Sequence, residues 1–94
     1  MAYAQIGYQQ LTSIDSSTLL NSVAPGVPNG AAYAVVVPES QAVRWRNDGT
    51  APTTTVGMPI AAGGSWIFEG RSELLALRFI GQVAGAKLNV VYYG

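Results

Sequence analysis

The sequence predicts an all-β fold, an antiparallel sandwich or small barrel of about eight short strands. Three observations lead there. Gly and Pro, 11 and 5 of the 94 residues, cut the chain into strand-sized pieces. Those pieces are rich in β-branched and aromatic residues, which suit a pleated, half-buried surface. Turn signals recur every 8 to 12 residues or so, the spacing of sandwiches and small barrels. At this length there is room for one small domain, so residues 1–94 are expected to form a single unit, with 1–16 serving as an attachment arm.

Tyr3 to Leu11 reads as a strand interrupted at Gly7. Asp15 to Val23 admits a helix capped by Asp15 or a strand ending before Pro25, and a strand over Thr18 to Val23 is preferred. Ala31 to Val37 is a continuous apolar run that stops at Pro38, the pattern of a buried strand. Gln41 to Arg46 alternates, with Val43 and Trp45 on one face and Arg44 and Arg46 on the other. Asn47-Asp48-Gly49 then supplies turn chemistry. The stretch from Thr50 to Ile60 is extended by composition, with Pro52 and Pro59 confined to an edge or loop.

Gly63-Gly64 reads as a hairpin turn leading into a short strand, Ser65 to Glu69. Leu74 to Ile80 would place Leu75, Leu77 and Phe79 on one strand face. Helix is the alternative, and the short run before Gly81 favours strand. Lys87 to Tyr93 alternates Leu88, Val90 and Tyr92 against Lys87, Asn89 and Val91, a last strand.

Composition points toward assembly. Charged residues are 11% of the chain and hydrophobic ones 49%, with five basic against five acidic side chains. A free small domain stays soluble through mixed surface charge and a net charge away from zero. A chain with neither is expected to have much of its surface covered by other copies or a larger partner. The zero net charge gives no pull toward nucleic acid or an anionic membrane. The opening MAYAQIGYQQ lacks the basic and apolar regions of a signal peptide, and no apolar run reaches the length of a membrane span.

The residue types that usually carry catalysis at neutral pH are missing, since there is neither histidine nor cysteine. Glu69 and Glu73 are the nearest acidic pair, but they flank a turn where solvated charges are ordinary. Lys87 has no serine motif beside it. Asn47-Asp48-Gly49-Thr50 offers a single carboxylate to calcium, and Ala61 to Ser65 leads into Trp66-Ile67-Phe68 rather than a phosphate-binding helix. No enzyme, cofactor or metal is expected.

Two constellations are candidates for contact. Arg44 and Arg46 sit beside a Thr/Pro-rich loop, with Asp48 placed to pair with one of them. The aromatic set Tyr3, Tyr8, Tyr33, Trp45, Trp66, Tyr92 and Tyr93 is the other; Trp45 and Trp66 are expected to close the core, and exposed members would stack on sugars or anchor an interface.

The string QAVRWRNDGTAPTTTVGMPI, followed by LLALRFI and AKLNVVYY, resembles small structural proteins of tailed bacteriophages and prophages. The likeness covers roughly the last two-thirds of the chain and is most specific from Arg44 to Pro59. It implies a virion component without catalytic residues. Joined with the composition, it gives the expectation of a jelly-roll β-sandwich acting as a capsid decoration or cement protein on the head exterior. Its partners would be the major capsid protein and itself, as a homo-oligomer with a trimer suited to local three-fold positions. Contact would fall on Arg44, Arg46 and Asp48, and on the segment from Ala2 to Gln10 with Tyr3 and Tyr8. A tail or baseplate component, or a carbohydrate-binding adhesin module, is the alternative.

Overall fold

β-Branched and aromatic runs separated by glycine turns give eight strands in the computed structural model, which describes residues 3–94. They are β1 (Gln5–Leu11), β2 (Thr18–Leu19), β3 (Tyr33–Glu39), β4 (Val43–Arg46), β5 (Met58–Ile60), β6 (Trp66–Glu69), β7 (Arg78–Gly81) and β8 (Lys87–Tyr93). One helix, α1 (Arg71–Ala76), and a 3-10 turn at Leu20–Ser22 complete the chain.

The strands form two four-stranded antiparallel sheets, ordered β1-β8-β3-β6 and β2-β7-β4-β5. Strands pair as β1 with β8, β2 with β7, β3 with β6 and β4 with β5. That nesting is one long hairpin wrapped around a common core, the jelly-roll arrangement. The tip of the hairpin is the β4–β5 connection, residues 47–57. Between the sheets lie Leu11, Leu20, Ala34, Val36, Val43, Phe68, Leu74, Leu77, Phe79, Leu88, Val90 and Tyr92, all buried.

Three local readings are corrected. Leu74 to Ile80 is not one strand. Gly70, at φ 92°, ends β6, and Arg-Ser-Glu-Leu-Leu-Ala, mostly good helix formers, take a helical turn and a half. The Leu74 N–H donates to the Gly70 carbonyl and the Leu77 N–H to that of Glu73. The buried pair is therefore Leu74 and Leu77, spaced for a helix, while Leu75 is exposed. The strand over Thr18 to Val23 is only two residues long before the 3-10 turn begins. Gly63-Gly64 is not a hairpin turn, because β5 and β6 belong to different sheets; it carries the chain across the sandwich.

Within the 1–16 segment, β1 is a strand of the first sheet. β1 pairs along β8 from Gln5 to Leu11, with a bulge between Gln5 and Gly7, and Leu11 and Ile14 are buried in the core. Ala2, the first residue of the segment read as a contact, lies outside the described residues. β3 runs through Pro38 to Glu39. The Pro38 carbonyl accepts from the Gly63 N–H at 2.9 Å, so the missing N–H lies on the β6 side, past the end of β6, and the β8 ladder is untouched.

Gly81 shows how tightly the strand ends close. A Cβ there would lie 2.3 Å from the Ala86 Cβ and 2.9 Å from the Val83 carbonyl oxygen, neither of which can swing away. Gly81→Ala is expected to cost about 1–3 kcal/mol through overpacking. A urea melt measures it.

Candidate functional site

The sequence candidates separate onto the outer faces of the two sheets. Arg44, Arg46 and Asp48 belong to the second sheet and the tip that follows β4, whereas Tyr3 and Tyr8 lie with the first sheet.

At the tip, alternation along β4 turns Val43 into the core and Arg44 and Arg46 outward. Arg44 spends its guanidinium on its own loop. Nε donates to the Thr54 carbonyl at 3.1 Å and Nη1 to that of Gly57 at 2.9 Å. Thr53 tightens the same loop, its Oγ1 accepting from the Val56 N–H at 3.0 Å. Arg44 thus staples the loop to β4. Arg44→Ala is expected to speed proteolytic cleavage within residues 50–57 while barely moving the melting temperature, a difference that timed limited proteolysis reads.

Arg46 and Asp48 form the one ion pair among the described residues, two-pronged, with Nη2 to Oδ2 at 2.5 Å and Nε to Oδ1 at 3.1 Å. That hydrogen bonding lowers the Asp48 pKa and raises that of Arg46. Any stability it contributes is present above the ordinary Asp range and lost as pH falls through the lowered value. Both groups are solvent-facing, so the pair orders the turn more than it stabilises the fold. Trp45, Arg46, Asn47, Asp48, Val56 and Met58 line a shallow groove at the tip.

Asn47 Nδ2 donates to Glu73 Oε2, tying the tip to α1. Glu73 therefore has a structural partner. Among the described residues no three His, Cys, Asp or Glu side chains gather as a metal site would require.

The first sheet carries the second candidate. Register places Tyr8 opposite Val91, Val91 opposite Val35, and Val35 opposite Ile67. One apolar row therefore crosses all four strands on the outward face. Tyr8 and Ile67 are 50% and 56% exposed, and Val35 and Val91 are half-buried between their neighbours. The adjoining row holds Tyr93, Tyr33 and Glu69. Tyr33 and Tyr93 stack with centroids 4.8 Å apart and planes 9° apart, and Tyr3 meets Tyr33 edge-on at 5.5 Å.

On the other flank the row is bounded by a polar network. The Tyr8 hydroxyl donates to Asn89 Oδ1 at 2.6 Å, Gln10 Nε2 donates to the same oxygen, and Asn89 Nδ2 donates to Glu39 Oε1 at 2.9 Å. These bonds hold the Tyr8 ring in place on the face. Tyr33 and Tyr93 each give one ring face to the other. Trp45 packs partly buried against the core as expected, while Trp66, stacked on Phe68 and meeting Trp45 edge-on, stays 40% exposed.

Sequence reasoning missed Val35 and Ile67 as outward-facing residues, although the signal is there, while Val91 faces outward as the alternation of Lys87 to Tyr93 predicts. Strands buried on one face alternate, and strands covered on both read as continuous apolar runs. AAYAVVV and NVVYY are continuous, yet in a two-layer sandwich only one face of each meets the core. Comparison with family models, curated proteins and solved structures finds no match for this chain.

Proposed function

We propose that this chain is a non-enzymatic structural protein of a tailed-phage virion, a decoration or cement protein that stabilises the head by bridging major capsid subunits. One observation carries the reading: an apolar row, Tyr8, Val91, Val35 and Ile67, crosses the outer face of the first sheet, and no other strand or helix among the described residues packs over it. Contiguous exposed apolar surface on a domain with so few charges marks an interaction site. The resemblance of the Arg44 to Pro59 stretch to phage structural proteins supplies the kind of assembly.

The stapled tip at residues 47–57 supports the same reading. Its backbone is fixed in advance by Arg44, Thr53 and the Arg46–Asp48 pair, so a contact made there costs little ordering entropy. Anything that binds only the assembled shell stabilises it by mass action. Particles produced without this chain are expected to lose their DNA at a lower temperature than complete ones, as followed by dye entry during a thermal ramp, and added purified protein should restore the higher value. Identical ramps with and without the chain would contradict a cement role.

A further inference from the structure

We infer that the outer face of the first sheet is where two copies of this chain meet, face to face about a two-fold axis running along the strands between β8 and β3. This rests on the reading that the chain works in an assembly, and it names the partner of that face. It also replaces the trimer suggested by three-fold shell positions, since a flat face that covers itself is isologous and closes at two.

Charge complementarity selects the second copy and the axis. Beyond the apolar row the face ends in Lys87 on β8, directly opposite Glu39 on β3. Both are exposed, and Lys87 has no ion-pair partner among the described residues. Turning a second copy about an axis between these strands lays β8 of each over β3 of the other. Lys87 of each copy then falls over Glu39 of the other, twice by symmetry. The same operation sets Val91 over Val35, Tyr8 over Ile67 and Tyr93 over Tyr33, with Asn89 falling over Val37 in the row between. Glu69 falls over the Gln5 end of β1, where an amide can donate to it.

The alternative axis, across the strands, does worse. It lays Lys87 and Glu39 over the rings of Tyr93 and Tyr33 and brings neither charge a counter-charge from the other copy to offset its desolvation. Stacked sheets cross at about 30°, a displacement at the ends of the face that a lysine side chain can span.

Area sets the strength. Four strands about 4.8 Å apart give a face of roughly 20 by 20 Å. Two copies then bury about 800 Å², just under the roughly 1,000 Å² of a stable specific interface, as expected of a weak, reversible pair. The expected dimer is weak, dissociating at tens of micromolar or above, and the particle surface would reinforce it by holding both copies close. Such a pair presents two stapled tips, the minimum for bridging two capsid subunits.

Sedimentation velocity of the full chain over a concentration series tests this. The wild type should shift from monomer to dimer at tens of micromolar or above. Ile67→Lys, a change on an exposed side chain that leaves the core alone, should weaken the dimer by about tenfold or more. Lys87→Glu should weaken it about three- to tenfold, and Lys87→Glu combined with Glu39→Lys should recover most of that loss. Near-ultraviolet circular dichroism verifies that each variant keeps the fold. A wild type that stays monomeric, a trimer, a dimer indifferent to Ile67→Lys, or a charge exchange that recovers nothing would each overturn the inference. Particle content is measured separately, so a particle-bound monomer would refute the dimer alone, and a dimer absent from particles would refute the virion reading alone.

Discussion

Gln9→Leu is expected to lower the unfolding free energy by about 3–5 kcal/mol, read from urea denaturation. Gln9 is 1% exposed and every polar atom of its side chain is used. Nε2 donates to the carbonyls of Leu20 and Val23, both at 2.8 Å, and Oε1 accepts from the Tyr92 hydroxyl at 2.5 Å. The amide therefore joins β1, β8 and the 3-10 turn in one buried network. Leucine fills a similar volume but removes the Gln9 bonds to two carbonyls and to the Tyr92 hydroxyl, each loss costing about 1–3 kcal/mol where the group is left unpaired. Small domains hold only about 5–15 kcal/mol in all, so this variant should be partly unfolded on mild warming.

Tyr92→Phe orphans one acceptor and should cost less, about 1–2 kcal/mol. It also tests the alkaline limb of stability. Burial raises the Tyr92 phenol above its ordinary value, so the folded state keeps its proton where the unfolded state has lost it. Stability held by this group is full below pH of about 10 and is lost as pH rises from there toward the folded value. The phenylalanine variant should lack that component of the fall.

Phe79→Ala should cost about 3–5 kcal/mol, on the same measure. Phe79 is fully buried on β7 and meets Phe68 of the opposite sheet edge-on, centroids 6.0 Å apart. Phe68 in turn packs edge-on against Trp45 at 4.9 Å, so the chain of rings ties the two sheets together. Removing one ring opens a cavity between rigid strands that cannot collapse into it. Phe79→Leu keeps most of the volume and should cost under about 1.5 kcal/mol. Tryptophan fluorescence, from Trp45 and Trp66 in the same ring cluster, should change in the alanine variant more than in the leucine one.

Where side chains alternate strictly, the strands are readable from residues alone. Lys87 to Tyr93 places Leu88, Val90 and Tyr92 inward as its pattern says, and Val43 and Arg44 divide β4 in the same way. Leu74 to Ile80 fails because two periods are spliced in a short run: Leu74 and Leu77 follow a helix and Phe79 a strand, with Leu77 the extended residue between. Glycines at 63 and 64 announce a turn but not which sheet the next strand joins, a matter of long-range pairing.

The contact candidates divide for a similar reason. Arg44 beside a Thr-rich loop reads as a group awaiting a partner, and only the folded loop shows that its Nε and Nη1 each donate to a carbonyl, those of Thr54 and Gly57. Tyr8 is a contact candidate from the sequence alone, but its row is not legible there, because Val35, Val91 and Ile67 become its neighbours only through pairings of β1, β8, β3 and β6.

The proposed role makes a demand on numbers. A shell cement must be present in proportion to the shell, whereas a tail or baseplate part is present in a few copies. Quantitative mass spectrometry of gradient-purified particles, counting copies of this chain against the major capsid protein, decides it. A ratio near one copy per capsid subunit is the expected result, and a few copies per particle, or none, would contradict the assignment to the shell.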